Sequence, residues 1–183
     1  MRELTHQAFT IGHSTHSLGE FVALLRSAGI EQVADVRAHP GSRRVPHFGR
    51  DALAAGLREA EIGYAHLPEL GGRRRAGPGS ANTGWEVPAF RAYADHMAGE
   101  EFAAGLSRLE ALTRAAATAA MCAEGPWWRC HRRLVADALV ARGWKVVHVM
   151  PDGRTAAHEL TPFAVVEGGR ISYPPPQGTL PLP

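Results

Sequence analysis

Lysine is almost absent from this sequence: Lys145 stands alone beside nineteen arginines in 183 residues. Cysteine is nearly as scarce. Two of them, Cys122 and Cys130, cannot staple a disulfide scaffold, and both are expected as reduced thiols. No apolar run approaches the roughly 20 residues of a membrane helix, and Met1 to Gln7 lacks the apolar stretch of a signal peptide. A cytoplasmic protein without membrane contact is the expectation. Net charge is also small, +2, so charge as a whole selects no partner. There is no Cys-x-x-Cys pair, no His-x-x-x-His pair and no internal repeat, so the usual zinc spacings are missing. No cofactor and no metal is expected.

What is there reads as an ordinary globular mix, 45% hydrophobic and 21% charged, long enough to bury a core as one domain. Charge is unevenly spread. Between Val36 and Arg75 lie eight arginines against Asp51, Glu59, Glu61 and Glu69, a local excess that attracts phosphates. A GC-rich genome would give the same arginine bias without functional demand.

Short apolar runs alternate with helical periodicity. Ala8–Ile11, Gln32–Val36, Tyr64–Leu67, Thr118–Cys122 and Lys145–Met150 read as strands. Ser17-Leu18-Gly19-Glu20 fits a capping box ahead of Phe21, Leu24, Leu25 and Ala28. Further helices are expected from about Asp51, around Phe90–Met97 and Phe102–Leu112, and over His131–Arg142. The alternation predicts an α/β fold. A mainly parallel five-stranded sheet carries helices on both faces, Rossmann-like, with a core over about 8–150. Residues 151–183 form an appendage: a hairpin of Phe163–Val166 and Arg170–Tyr173, then extended or loose chain from Pro174. The stretch Pro68–Pro88 reads as a lid or binding loop.

Ligands of such sheets bind beyond the carboxyl ends of the strands. That edge collects His13 and Ser14, then Asp35, Arg37 and His39, then Cys122 and Glu124, then Arg129, Cys130, His131 and Arg132 at a helix start. A thiol after a strand followed by an arginine-led helix is the layout of thiolate phosphatases and sulfurtransferases, in which helix dipole and cations ionise the cysteine. Six residues separate Cys122 from Arg129, one more than phosphatases use, and a free cysteine is commonly a small buried hydrophobe. Asp35 and Glu124 are candidates to activate water or support a cationic sugar, as in glycosidic cleavage. For Asp35 the alternative is a salt bridge with Arg37 or Arg132. His13 is a candidate acid or base. Ser42, Arg43, Arg44 and Phe48 are candidates to grip a phosphate or stack a base, and Trp127-Trp128 either stack on bases or pack beneath their loop.

Gly12-His13-Ser14, Asp35-Val36-Arg37, Pro40-Gly41-Ser42-Arg43-Arg44, Phe48, Leu67–Gly72, Cys122-Ala123-Glu124 and Cys130-His131-Arg132, in that order, resemble the domain of unknown function 488 family. The resemblance implies an α/β fold and a bacterial intracellular protein. Some members carry a DNA-repair label, and no reaction comes with it. The leading expectation is a nucleic-acid-directed hydrolase of the base-excision, glycosylase type. Its catalytic residues come from Asp35, Glu124, His13, Cys122, Cys130 and His131. Its phosphate-binding residues are Ser14, Arg37, Ser42, Arg43, Arg44, Phe48 and Arg132, and its partner is DNA, another nucleic acid or a nucleotide. The alternatives are a cysteine-dependent phosphatase or sulfurtransferase, and a non-catalytic nucleic-acid-binding module.

Overall fold

The computed structural model describes residues 6–75 and 77–176. The chain opens with β1 (Gln7–Gly12), α1 (Leu18–Ser27), β2 (Gln32–Asp35), α2 (Arg50–Glu59) and β3 (Gly63–His66). It continues with α3 (Pro88–His96), α4 (Glu100–Ala115), β4 (Thr118–Cys122), α5 (Arg132–Ala141) and β5 (Lys145–Val149). Three short strands follow: β6 (Thr155–Ala157), β7 (Val165–Glu167) and β8 (Arg170–Ser172). The expected capping box is present on α1. Glu20 N–H donates to Ser17 Oγ, and Ser17 N–H donates back to the Glu20 carboxylate.

One sheet runs in the order β3-β2-β4-β1-β5-β6, parallel except for β6. It therefore has six strands rather than the five expected. The sixth, an antiparallel edge strand of three residues, is too short to show periodicity. It exists because Val147–Val149 of β5 offers an open edge to Thr155–Ala157. The predicted hairpin is β7–β8. The expectation for the chain beyond Pro176 lies outside the described residues.

Strand alternation splits the core into two layers. Val33, Ala119 and Met121 point to the face covered by Phe21 and Leu25 of α1 and by Leu53 and Leu57 of α2. Ala34, Ala120 and Cys122 point to the other face, under α3, α4 and α5 through Tyr93, Leu106, Leu109, Leu134 and Leu139. Outgoing chain from β1 and β2 thus turns to one face, and from β4, which lies between them, to the other. That divergence opens a crevice at the carboxyl ends of these three strands.

A buried polar chain ties the C-terminal segment to this frame. Tyr173 O–H and Thr161 N–H donate to Asp137 on α5. His158 Nε2 bonds Asp137 at 2.8 Å, His148 Nε2 bonds His158 Nδ1 at 2.9 Å, and Thr10 Oγ1 bonds His148 Nδ1 at 2.6 Å. Every polar atom named has a partner, which is what burial demands.

Candidate active site at the ends of β1, β2 and β4

A cavity of about 610 Å³ occupies the crevice. His13, Ser14, Arg37, Ser42, Arg44, Cys122, Glu124, Cys130 and His131, all expected at the site, line it, together with His39, Arg73 and Arg129. Asp35, Phe48 and Arg132 lie buried behind the wall. Arg43 is exposed and does not line the cavity. Four arginines and a single carboxylate, Glu124, line it, so the wall carries an excess of positive charge.

Beyond the strands, the β1–β4 ladder extends through His13 N–H to Cys122 O (3.0 Å) and Ser14 N–H to Ala123 O (2.9 Å). Ser14 holds a left-handed φ of 50°, which ends the ladder in a turn. Gly12 makes the approach possible, since a Cβ there would run into the Glu124 carbonyl and the Arg132 guanidinium.

The β2 end is an anchored guanidinium. Asp35, with no exposed surface, accepts Arg37 Nε at 2.8 Å, Nη2 at 2.7 Å and the Arg37 backbone N–H at 3.1 Å. Tyr64 O–H donates to the same carboxylate at 2.6 Å. Burial, with that bond and the charge of Asp35, pushes the Tyr64 phenol well up. The Arg37 Nη1 group then bonds His13 Nε2 at 3.3 Å, while His13 Nδ1–H donates to Ser14 O at 2.9 Å. Burial lowers the His13 pKa to about 4, and its ring stacks on Phe48 at 4.2 Å. Asp35 therefore serves Arg37 and has no lone pair aimed at water, and His13 is a neutral ring with both nitrogens engaged. The salt bridge weighed for Asp35 is the one to Arg37.

At the β4 end, two thiols from opposite sides of a loop meet. Cys122 closes the strand and Cys130 precedes α5, and their sulfurs are 2.7 Å apart, both cysteines free and buried. Arg132 N–H, in the first turn of α5, points at Cys130 Sγ from 3.4 Å. His131 Nε2–H donates to Val36 O at 2.9 Å, which turns Nδ1 toward Cys130 Sγ at 3.5 Å. Gly72 lets the Pro68–Gly72 segment pack flush on His131, because a Cβ would collide with that ring, and Gly71 does the same against Ala38. Burial opposes ionisation of Cys130, but hydrogen bonds from Cys122 and His131 and the positive charge of His131 and Arg132 outweigh it, holding the thiol well below its ordinary range. Burial, reinforced by the hydrogen bond and charge of Cys130, holds Cys122 well above. Of the two sulfurs, Cys130 is the one whose surroundings favour the thiolate.

Arg132 adds the last of these contributions. Its side chain is wholly buried, Nη2 donates to the carbonyls of Glu124 (2.6 Å) and Gly125 (3.0 Å), and Nε and Nη1 have no partner. No carboxylate pairs with it among the described residues. A buried cation favours negative charge nearby, and the charge of Arg132 acts on both sulfurs in that sense.

Cys122, Glu124 and Cys130 offer ligand atoms within 4.8 Å of one another, a donor set for a thiophilic ion. The charge of Arg132, felt at both sulfurs, opposes further positive charge there. Trp127 packs inward, stacked on His148 at 4.1 Å. Trp128 stays 44% exposed. Sequence reasoning missed Tyr64, read only as strand, and Phe90, which lines the cavity although it was assigned to a helix core. The Gly71-Gly72 pair was the available signal for close backbone packing.

Fold and site together define a doubly wound α/β protein with a thiol–arginine centre at its topological switch point. Residues 17–139 match the family model described as Domain of unknown function DUF488, more than half of the chain, and the chain belongs to that family. No curated protein and no solved structure matches it. No helix of the described residues is long and apolar enough to cross a membrane.

Proposed function

We propose that this chain is a cysteine-dependent enzyme, a phosphatase or related group-transfer catalyst, acting on a phosphate-bearing substrate of nucleotide size with Cys130 as nucleophile. One observation carries the reading: Cys130 lies at the N-terminus of α5, where the Arg132 backbone N–H points at its sulfur, and the buried Arg132 guanidinium, with no carboxylate partner among the described residues, adds its charge. The cavity volume suits a small ligand, and Arg37, Arg44, Arg73 and Arg129 supply the donors for its anionic oxygens.

In the forward step the Cys130 thiolate attacks phosphorus, and the bond to the leaving oxygen breaks as Glu124 protonates it. Water, deprotonated by Glu124, then cleaves the phosphocysteine and returns the thiolate. Asp35, Tyr64 and His13 act through Arg37, fixing its orientation. The test is phosphate release from nucleoside monophosphates and from terminally phosphorylated oligonucleotides. Cys130→Ser should abolish it while the circular dichroism spectrum is kept. Turnover that survives this substitution would falsify the proposal.

A second reading has one observation in its favour. Glu124 is the sole carboxylate lining the cavity among the described residues, and in this reading it directs water at a glycosidic bond in a nucleic acid, as in base excision. Base release that disappears in Glu124→Gln and persists in Cys130→Ser would select it.

A further inference from the structure

Phosphate chemistry at Cys130 needs one sulfur, and this cavity holds two. Cys122 takes no part in the reaction above, yet its sulfur is closer to Cys130 than any other side-chain atom bonded to that sulfur. The two cysteines arrive from different elements, the end of β4 and the start of α5, and α5 is pinned to the core by Leu134, Val135 and the Asp137 network. Their juxtaposition is thus a property of the frame. The sulfurs at 2.7 Å have only about 0.7 Å to close before they reach bonding distance. Both residues line the cavity, and Cys130, 2% exposed against 0% for Cys122, is the one a small oxidant reaches first. The Glu124 carboxylate lies within 4.8 Å of both sulfurs, near enough to take up a proton.

We propose that Cys122 is a resolving thiol and that peroxide converts the Cys122–Cys130 pair to a reversible intramolecular disulfide. The Cys130 thiolate attacks one peroxide oxygen. The O–O bond breaks, hydroxide leaves, and the sulfur, oxidised by two electrons, becomes a sulfenic acid. Cys122 then loses its proton to Glu124 and attacks the Cys130 sulfur. The S–O bond breaks, the departing hydroxide takes that proton, the hydroxide of the first step takes from solvent the proton that Cys130 released on ionising, and the products are one disulfide and two waters for each peroxide consumed. Loss of turnover on oxidation rests on the reading of Cys130 as nucleophile; formation of the bond does not.

The test follows sulfur rather than activity. Reduced protein, freed of reductant, is exposed to hydrogen peroxide, denatured in an alkylating reagent and mapped by peptide mass. Two alkylatable thiols should vanish together, giving a cross-linked Cys122–Cys130 peptide lighter by two hydrogens and restored by dithiothreitol. In Cys122→Ser, Cys130 should instead advance to sulfinic acid, which dithiothreitol does not recover. Wild-type Cys130 passing to sulfinic acid with Cys122 still alkylatable, both thiols surviving peroxide, or a cross-link found only between two chains would each overturn the inference. A disulfide forming in a chain that turns over none of the phosphate substrates would leave the inference standing and remove the proposed reaction instead.

Discussion

Replacing Asp35 by asparagine removes one charge and little volume, yet it strikes the point on which the β2 end is built. The carboxylate accepts four hydrogen bonds, three from Arg37 and one from Tyr64, and it is completely buried. Asparagine can still accept from Tyr64, but its amide hydrogens face the guanidinium, and Arg37, only 8% exposed, keeps a charge with no partner. Breaking one side of a buried pair costs about 3–5 kcal/mol. In a chain of this length that lowers the melting temperature by roughly 6–20 °C. Thermal unfolding followed by circular dichroism reads the loss directly. Asp35→Asn/Arg37→Met should recover part of it, because removing the guanidinium leaves no orphaned charge. A variant that melts with the parent while losing turnover would refute the reasoning, because Asp35 would then act on the substrate rather than on Arg37.

Acid should act through two histidines. His148 is lowered to about 3, by burial first and then by His158 and Arg132, and His13 to about 4. Both titrate near 6.5 when unperturbed, so the unfolded chain gains protons that the folded chain refuses. Stability is therefore full above about pH 6.5 and lost as pH falls toward 4, by on the order of 3 kcal/mol per histidine at the acid end. Urea midpoints should drop between about pH 6.5 and 4.5, above the range in which ordinary carboxylates titrate; a level midpoint across that window contradicts the assignment. Gly72→Ala sets a methyl against the His131 ring. It should cost about 1–3 kcal/mol as overpacking and slow alkylation of Cys130, whereas a variant matching the parent in both would show that His131 is not held from that side.

The strand-end rule was enough to bring His13, Arg37, Cys122, Glu124, Cys130 and His131 to one cavity, because parallel strands deliver their termini to one edge. Their roles were harder to read. Asp35 and Arg37 are two residues apart, a spacing that allowed both the ion pair and an independent carboxylate, and only the buried geometry decides. Cys122 has the strand-end position of a nucleophile, but the loop Ala123–Arg129 folds back and sets Cys130 at the helix N-terminus, where dipole and cations act. That depends on a chain reversal without periodicity. The orientation of Trp127 is set by His148 on β5, outside its own segment. β6, three residues after a turn, presented no pattern at all.

The central claim is that Cys130 is a thiolate near neutral pH. The direct measurement is the pH dependence of its alkylation by iodoacetamide, read by mass spectrometry at each cysteine separately. Cys130 should react with a midpoint well below the roughly 8.5 of an ordinary thiol, with Cys122 unreactive in the same range. A Cys130 midpoint at or above that value, or Cys122 reacting first, would contradict the account.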